Sequence, residues 1–435
     1  MAALSKLPET EILTESDGEG VTDFTDSSTG HSRSSSSCGS VTLSEVSNES
    51  VVLEGEKKRF NRCVATLSGH VGIVSCVTTS GDLLLSASQA HDVRVWRHPD
   101  LHHCARFGAG DGAVKAIVAL GDRVVTAHQD QKIRVWKRSN GKYKLVTAMP
   151  TVKECLISAV RQSNYVQTRR HHRRLWMEHV DTISCLAVGV AVGKPRRGIK
   201  RTSNGSIVKE SKGKAYDVLY SGSWDRTFKL WRLSDFKCLD STRAHNDAIN
   251  ALAVGPTGHL FTASADCKVK VWCKPRGSKS HRLVATLEGH QASVNALALA
   301  ADRTVIYSGG SDRTIVAWQT EIGASPFAMA CEMRGQHGGP ILCLCTVGEF
   351  LCSGSADKTV RVWRREGFPH GSFEHSQVAV LKGQQGPVKC IAGSTDVAAG
   401  FLVYAGSVDG SVKVWWVSND KEDDEKGSIS HVYSA

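Results

Sequence analysis

One short sequence unit, which ends in tryptophan, recurs seven times along the 435 residues of this chain. Its fullest form is the segment 353–363, which reads SGSADKTVRVW. The tryptophans follow one another at intervals of roughly 40 residues or more, and they are Trp96, Trp136, Trp231, Trp272, Trp318, Trp363 and Trp415. An internal repeat of this length is typical of a propeller blade, which is a four-stranded antiparallel sheet. We therefore predict an all-β chain whose repeats close into a seven-bladed β-propeller.

Two further residue types keep a fixed distance from the tryptophans. Aspartate lies six residues upstream in six repeats, and the first repeat has Ala90 there; the aspartates are Asp130, Asp225, Asp266, Asp312, Asp357 and Asp409. Histidine precedes the first apolar strand in five repeats, whereas repeats two and seven have Gly110 and Gln384; the histidines are His70, His179, His245, His290 and His337. Apolar and basic residues alternate before the tryptophan, as in segment 269–271, which is the period of a strand.

These motifs, with the dipeptides Gly69-His70 and Gly289-His290, resemble those of WD40-repeat proteins. The resemblance implies a buried hydrogen-bonded network in each blade, formed by the histidine, a strand hydroxyl, the turn aspartate and the tryptophan. The hydroxyl lies four residues before the aspartate, and repeats three to six contain complete sets: His179, Ser221, Asp225 and Trp231; His245, Thr262, Asp266 and Trp272; His290, Ser308, Asp312 and Trp318; His337, Ser353, Asp357 and Trp363. Repeats one, two and seven each lack at least one member.

The fixed spacing favours a structural role for these residues over catalysis or metal binding. A buried aspartate needs hydrogen-bond donors, and a buried indole N–H needs an acceptor. The sequence has no phosphate-binding Gly-rich loop, no Gly-x-Ser-x-Gly elbow and no His-Glu-x-x-His motif. The pairs His102-His103 and His171-His172 lack the cysteine spacing of zinc sites. We therefore expect a protein that is not an enzyme and that has no catalytic residue, metal or cofactor.

The repeats also set the predicted domain boundaries. In the WD40 resemblance each repeat begins with the outer strand of the preceding blade, so residues 62–67 are expected to complete the last blade. The predicted propeller comprises residues 60–418, and 419–435 form a C-terminal tail. Residues 1–59 are rich in serine and acidic residues, which predicts a disordered tail. Two interpretations of this tail stay open, a phosphorylation platform and a solvated segment without regulation.

The composition indicates an intracellular protein. No apolar run is long enough to cross a bilayer, and the first residues turn acidic without the apolar core of a signal peptide. The 14 cysteines are scattered without a Cys-x-x-Cys motif, which favours free thiols in a reducing compartment.

Two basic insertions interrupt the even spacing between Trp136 and Trp231. The first, at about 161–176, contains Arg169, Arg170, Arg173 and Arg174, and the second, at about 190–215, contains Arg196, Arg197, Lys200 and Arg201. They contribute much of the net charge of +11. Solvated loops, nuclear import and polyanion contact are the open alternatives. Nucleic-acid binding is not expected, because no base-stacking aromatic pattern accompanies these charges.

The chain is also similar to one plant WD40 subfamily, the JINGUBANG-like proteins. The resemblance is carried by segments 128–137, 164–166, 169–170, 175–176, 179–186, 220–227 and 386–390. Gln384, in place of a histidine, and the basic loop around Arg196 depart from the subfamily pattern. The resemblance implies a cytoplasmic scaffold that regulates plant signalling or growth, such as pollen germination. Nuclear localisation stays open.

The resemblance places partners on the narrow face, at the residue before each turn aspartate and at residues after each histidine. These positions are Gln129, Trp224, Ala265, Ser311 and Ala356 from the first set, with Asp181 and Asp247 from the second. Trp224 is the strongest candidate, because a tryptophan outside the buried position presents a large apolar surface. Packing against a neighbouring loop or the Arg-rich insertion is the alternative.

We therefore expect a monomeric, non-catalytic interaction scaffold whose partners are regulatory proteins. One alternative is a substrate receptor of a cullin ubiquitin ligase. Such receptors typically carry Trp-Asp-x-Arg after strand c, but this chain has Trp231-Arg232-Leu233 and Trp363-Arg364-Arg365. The other alternative is binding of a polyanion or an anionic membrane by the basic insertions, which predicts a steep dependence on salt.

Overall fold

The computed structural model describes residues 41–43, 61–108, 112–169, 172–192, 198–201, 207–210, 215–275, 277–319, 327–367, 373–397 and 399–419. Most of both predicted tails lies outside these residues, as do Arg170, Arg196 and Arg197. For Arg169, Lys200 and Arg201 only the backbone is described.

Seven antiparallel sheets form the blades, and we label their strands a to d in the order in which they pair. Strand a of each blade contacts strand a of the next blade, and strand a of blade 7 contacts strand a of blade 1. The sheets therefore form a closed ring. The prediction of an all-β, seven-bladed propeller is confirmed.

The strands of the first four blades follow the repeats. Blade 1 contains Val74–Ser80, Leu83–Ser88, Val93–Arg97 and His102–Phe107, and blade 2 contains Val114–Leu120, Arg123–His128, Ile133–Ser139 and Lys142–Met149. Blade 3 contains Ile183–Val192, Ala215–Ser223, Thr227–Arg232 and Cys238–Arg243, and blade 4 contains Ile249–Val254, Leu260–Ser264, Lys268–Cys273 and Arg282–Glu288.

The last three blades complete the ring. Blade 5 contains Val294–Leu299, Val305–Gly310, Ile315–Gln319 and Ala328–Met333, and blade 6 contains Ile341–Val347, Phe350–Ser355, Val360–Gly367 and Phe373–Leu381. Blade 7 takes strands a to c from Val388–Val397, Gly400–Ser407 and Val412–Ser418, and its strand d is Asn61–Leu67.

The two ends of the propeller are joined within blade 7. Strand Asn61–Leu67 pairs antiparallel with Val412–Ser418, with Leu67 opposite Val412. A further short strand, Val41–Leu43, pairs with the outer edge of Asn61–Leu67, which leaves blade 7 with five strands. The segment predicted to be a disordered tail therefore contains a strand, because an open sheet edge offers unpaired N–H and C=O groups.

The insertions between strand d of blade 2 and strand b of blade 3 have secondary structure of their own. The first contains the α-helix Val152–Ala159, the 3₁₀-helix Gln162–Asn164 and the strands Tyr165–Arg169 and His172–Leu175, which pair as a hairpin. This insertion therefore begins with the helix, before the predicted start at residue 161. The second contains the paired strands Gly198–Arg201 and Ile207–Glu210. In the described segments, we find no helix with the length and apolar character needed to cross a membrane.

The apolar core lies between neighbouring blades. Seven clusters of buried apolar side chains occur in the described chain, and each contains the strand-c tryptophan of one blade and side chains of the preceding blade. Trp231 of blade 3, for example, packs with Val125, Ile133 and Met149 of blade 2. The tryptophans therefore fix each blade against its neighbour.

Three tyrosines of strand b make a second kind of contact between blades. Tyr220 of blade 3 and Tyr307 of blade 5 place their hydroxyls 3.2 Å from His281 Nε2 and 3.0 Å from His375 Nε2. Tyr404 of blade 7 pairs in the same way with His98 of blade 1. Burial raises the pKa of Tyr220 and of Tyr307 to about 12, so both stay protonated at neutral pH.

Candidate partner-binding face

The network of blade 3 shows how polar groups are accommodated inside the ring. His179 precedes strand a, Ser221 lies on strand b and Trp231 on strand c, and all three are buried. Trp231 Nε1 donates to Ser221 Oγ at 2.9 Å, and Ser221 Oγ lies 2.8 Å from His179 Nε2. His179 Nδ1 lies 2.9 Å from the Oδ2 atom of Asp225. One hydroxyl therefore connects the indole with the imidazole and the carboxylate.

The partners determine where the protons are. An ionised carboxylate only accepts hydrogen bonds, so His179 Nδ1–H donates to Asp225, and Nε2 accepts the Ser221 hydroxyl proton. Burial lowers the pKa of His179, although Asp225 opposes this effect. Burial also opposes ionisation of Asp225, but His179 and hydrogen bonds from Thr227 and the Val180 N–H outweigh it and hold the pKa of Asp225 below its usual range. A neutral imidazole beside an ionised carboxylate satisfies both groups.

Blades 4, 5 and 6 repeat this geometry. The histidine Nδ1 lies 2.8–2.9 Å from the aspartate, the histidine Nε2 lies 2.7–2.8 Å from the hydroxyl, and the indole N–H donates to that hydroxyl at 2.8–3.1 Å. The structure brings together His245, Thr262, Asp266 and Trp272; His290, Ser308, Asp312 and Trp318; His337, Ser353, Asp357 and Trp363. These histidines and aspartates are thus engaged with one another inside the ring.

Blade 2 obtains its histidine from strand b. His128 Nε2 lies 2.8 Å from Thr126 Oγ1, which accepts the Trp136 indole N–H at 2.9 Å. Asp130, the turn aspartate, pairs with Arg134 at 2.5 Å. His128 was not predicted from the sequence, because the repeat pattern places the histidine before strand a, where this repeat has Gly110. The available signal was a histidine two residues after the hydroxyl of Thr126.

Blade 1 keeps the hydroxyl, the histidine and the tryptophan. His70 Nε2 lies 2.7 Å from Ser86 Oγ, which accepts the Trp96 indole N–H at 2.9 Å. The nearby buried carboxylate belongs to Asp92, which accepts the Ser88 hydroxyl at 3.3 Å and pairs with arginines of strands c and d, Arg94 and Arg106. His70 Nδ1 is buried and has no hydrogen-bond partner in the described segments.

Blade 7 lacks both the hydroxyl and the histidine. Gln384 donates its Nε2–H to the Ala405 carbonyl at 3.0 Å. Asp409 accepts the backbone N–H groups of Ser411 at 2.8 Å and Gln385 at 3.1 Å. Within the part of the chain that the structure describes, the buried Trp415 indole N–H has no acceptor. The hydroxyl-centred network of blades 3 to 6 therefore does not form among the described residues of blade 7.

Above these networks, one backbone hydrogen bond recurs in all seven blades. The residue before the turn donates its N–H to the carbonyl that precedes strand a, at 2.8–3.1 Å; the donors are Gln89, Gln129, Trp224, Ala265, Ser311, Ala356 and Val408. We call this set the turn ring and the surface around it the loop face. Because this hydrogen bond is the same in every blade, the seven residues occupy equivalent positions around the ring of blades.

Trp224 is the largest side chain of the turn ring. Its N–H donates to the Thr182 carbonyl at 3.0 Å, and its side chain is 44% exposed. The cation–π pairs in the described part of the chain do not include it. A tryptophan held by its backbone and open to solvent offers a rigid apolar anchor to a partner.

Exposed polar residues accompany Trp224 on the loop face. Asp181 in blade 3, Asp247 in blade 4 and Gln129 in blade 2 are all exposed. Asp181 accepts the Thr182 N–H at 2.6 Å, and the Asp181 carbonyl accepts the Ser223 hydroxyl at 3.0 Å. Asp181 is therefore fixed next to the turn that carries Trp224, whereas Gln129 and Asp247 belong to the flanking blades.

Sequence reasoning missed two apolar residues of the loop face. Val408 belongs to the turn ring and is 36% exposed, and Val71, directly after His70, is 73% exposed. The signal for Val408 was present, since it lies directly before the turn aspartate, as Trp224 does. Val71 follows its histidine by one residue, whereas Asp181 follows its own by two. These valines give the adjoining blades 7 and 1 a second, smaller apolar area.

Of the eight basic residues predicted in the insertions, the structure describes the side chains of Arg173 and Arg174. Arg174 donates to the Gln131 side chain at 2.5 Å and to the His179 carbonyl at 3.4 Å, so it joins the hairpin to blades 2 and 3. Arg173 is exposed. In the described part of the chain, no three His, Cys, Asp or Glu side chains are grouped to hold a metal ion.

A closed ring of six four-stranded sheets and one five-stranded sheet defines the chain as a β-propeller, a class that commonly binds partners on its faces. A WD40 model, described as WD domain, G-beta repeat, matches residues 61–97, 236–273, 281–319, 331–364 and 375–415. These five segments of the propeller are WD40 repeats. Residues 98–235, which include both insertions, lie outside the matched segments.

Several curated proteins are similar to parts of this chain. An uncharacterized WD repeat-containing protein of Schizosaccharomyces pombe is 31% identical over 33% of this chain and 40% of its own length. Zinc finger CCCH domain-containing protein 59 of Arabidopsis thaliana is 30% identical over 34% of this chain and 29% of its own length. Small ribosomal subunit protein RACK1y of rice is 27% identical over 38% of this chain and 48% of its own length. The chain thus spans less than half the length of these relatives.

Proposed function

We propose that this chain is a non-catalytic protein–protein interaction scaffold whose partner docks on the loop face around Trp224. The observation that carries the proposal is a 44% exposed indole on a turn whose backbone is hydrogen-bonded to Thr182. Tryptophan is enriched among residues that dominate binding energy, and a rigid anchor loses little entropy on association. The four-residue networks beneath the face keep the turns in place without presenting a reactive group to solvent.

The charges beside Trp224 define what the partner should offer. Asp181 and Asp247 are exposed on blades 3 and 4, and Asp181 is fixed by the Thr182 N–H. A matching surface would have an apolar pocket for the indole and basic side chains at its rim. Carboxylates at a rim act mainly on association rate and partner choice.

The finer proposal is a regulator of plant signalling or growth, such as a restraint on pollen germination. It is supported by the resemblance to the JINGUBANG-like subfamily, which includes the segment 220–227 that carries Trp224. The partners would then be regulatory proteins of the cytoplasm, with the nucleus as a second compartment.

The cullin-receptor alternative finds no support at the ends of strand c. Arg232 stacks on Tyr216 at 5.4 Å and pairs with Asp235 at 3.2 Å. Arg364 stacks on Phe350 at 4.7 Å and donates to the Asn419 carbonyl. Both arginines therefore serve contacts within the propeller.

Affinity purification with mass spectrometry tests the scaffold proposal. The wild-type chain is compared with Trp224→Ala and with a matched control, Leu283→Ala, which removes a 49% exposed apolar side chain from strand d of blade 4. We expect a defined set of proteins to be lost with Trp224→Ala and retained with Leu283→Ala. Recovery of the same proteins with all three chains, each with an unchanged unfolding midpoint, contradicts the proposal.

A further inference from the structure

The α-helix Val152–Ala159 is amphipathic, but it turns its apolar side chains towards solvent. Val152, Leu156, Ile157 and Val160 are 76%, 66%, 64% and 85% exposed. A helix on the surface of a globular domain normally turns its apolar stripe towards the core. These side chains therefore contribute little to the core of the described chain and expose apolar surface to water.

Polar groups on the inner side of the helix hold it in this orientation. Glu154 accepts the Cys238 N–H of blade 3 at 3.0 Å, and its own N–H donates to the Thr151 hydroxyl at 3.2 Å. Ser158 is buried, and its carbonyl accepts the Asn164 side-chain N–H at 3.0 Å. Rotation of the helix to bury the apolar stripe would break the bond from the Cys238 N–H to Glu154 and would expose Ser158, so the stripe is fixed outward.

The exposed apolar residues continue onto the neighbouring hairpin. Val152, Leu156 and Val160 are spaced by four residues and share one helix face, which extends about 12 Å at 1.5 Å per residue. The Tyr165 hydroxyl donates to the Ala159 carbonyl at 3.4 Å, and Tyr165 and Val166 are 37% and 51% exposed. We define the helix patch as Val152, Leu156, Ile157, Val160, Tyr165 and Val166.

Most exposed charges beside the helix patch are positive. The acidic side chains near the helix are engaged within the chain: Glu154 accepts the Cys238 N–H, Glu178 accepts the Leu175 N–H, and Asp235 pairs with Arg232. Lys153 and Arg161, at the two ends of the helix, and Arg173 on the hairpin are exposed. The patch therefore combines apolar side chains with a basic rim.

We propose that the helix patch is a second docking site, which binds an acidic segment of a partner protein with apolar side chains at helical spacing. Covering the apolar stripe supplies the favourable free energy, and the basic rim selects acidic partners and speeds their association. The binding of an amphipathic helix to a membrane surface strengthens with the apolar area that the helix buries. This helix has eight residues, so its area fits a peptide better than a bilayer.

The test is a titration by fluorescence anisotropy with full-length protein. The probe is a labelled synthetic peptide of about 18 residues, or five helical turns, with leucine along one helix face and glutamate elsewhere. The proteins are the wild type, Leu156→Glu, and the control Leu283→Glu, whose leucine is 49% exposed on blade 4. A second peptide carries lysine in place of glutamate.

We expect the wild type and Leu283→Glu to bind the acidic peptide equally, and Leu156→Glu to bind about tenfold more weakly or worse. The lysine peptide should not bind, and higher salt should weaken the acidic one. Trp224→Ala should leave this binding unchanged, which separates the second site from the loop face.

Three results overturn the proposal. The first is no binding of the acidic peptide, or equal binding by wild type and Leu156→Glu. The second is binding to vesicles of phosphatidylserine and phosphatidylcholine that Leu156→Glu abolishes, since the patch would then be a membrane contact. The third is a dimer in sedimentation that Leu156→Glu dissociates, because a second copy of the chain would then cover the patch.

Discussion

The buried Trp415 indole N–H has no acceptor among the described residues, because Ala405 occupies the strand-b position that carries a hydroxyl in the other blades. In blades 1 to 6 the tryptophan donates to that serine or threonine at 2.8–3.1 Å. A buried donor left unpaired costs free energy, so blade 7, which joins the two ends of the ring, contains a defect that one oxygen atom can correct.

Ala405→Ser is expected to raise the free energy of unfolding by about 1 kcal/mol, because the new hydroxyl accepts the Trp415 N–H. Urea unfolding measures the change. Ala263→Ser is the control, since Ala263 is also fully buried on a strand b but lies in blade 4, where the indole N–H already has an acceptor. Equal destabilisation by both substitutions would show that blade 7 has no free donor to satisfy.

Ser221→Ala is expected to lower the free energy of unfolding by about 1–3 kcal/mol, because the Trp231 indole and the His179 imidazole lose their shared partner. The same urea titration tests it, with the exposed Ser163 changed to alanine as control. A loss no larger than that of Ser163→Ala would contradict a structural role for the blade 3 network.

His128→Ala is expected to destabilise the chain by a similar amount, about 1–3 kcal/mol, since it leaves the buried Thr126 hydroxyl with one partner fewer. The control is His102→Ala, which removes an exposed histidine from blade 1. Thermal unfolding of the two variants provides the comparison. If both variants unfold at the same temperature as the wild type, His128 does not replace the histidine that blade 2 lacks before strand a.

Acidification is expected to destabilise the propeller in a defined range. Burial lowers the pKa of His128 from 6.5 to about 4, so the unfolded chain takes up this proton at higher pH than the folded chain. The stability that this group contributes is complete above about pH 6.5 and is lost as the pH falls towards about 4. Burial lowers the pKa of His179, His245 and His337 in the same direction.

Urea midpoints measured at about pH 7.5 and about pH 5 check this prediction. The midpoint should be lower at the acidic pH, and His128→Gln should show a smaller decrease, because it removes one of the titrating groups. A midpoint that stays constant between these two values would mean that the histidines are not buried in the neutral form.

The blades were predictable because the repeat has a fixed register. Once the distance from Asp225 to Trp231 is known, the strand, the turn and the hydroxyl of Ser221 follow by counting residues, and the same count applies to blades 4 to 6. It could not find His128 or Asp92, because these residues fill their places from other positions in the chain. The repeat register predicts which positions in the sequence should carry the network residues. In the folded blade, a side chain from another position can supply the same polar group if its atoms reach the network.

The orientation of the helix in the first insertion could not be predicted from the sequence, for a different reason. Apolar residues at positions 152, 156, 157 and 160 have the spacing of a helix that packs on a core, whereas the structure exposes them and turns Glu154 inward to Cys238. Likewise, Val41–Leu43 carried no signal in a serine-rich segment, because its pairing depends on the open edge that Asn61–Leu67 provides.

The central claim is that Trp224 anchors a partner on the loop face. The most direct measurement is the dissociation constant of the strongest purified partner for wild type, Trp224→Ala and Leu283→Ala, by isothermal titration calorimetry. We expect Trp224→Ala to weaken binding by about thirtyfold or more, the effect of losing a residue worth at least about 2 kcal/mol, and Leu283→Ala to bind as the wild type does. Equal constants for the folded Trp224→Ala and wild-type proteins would contradict the account.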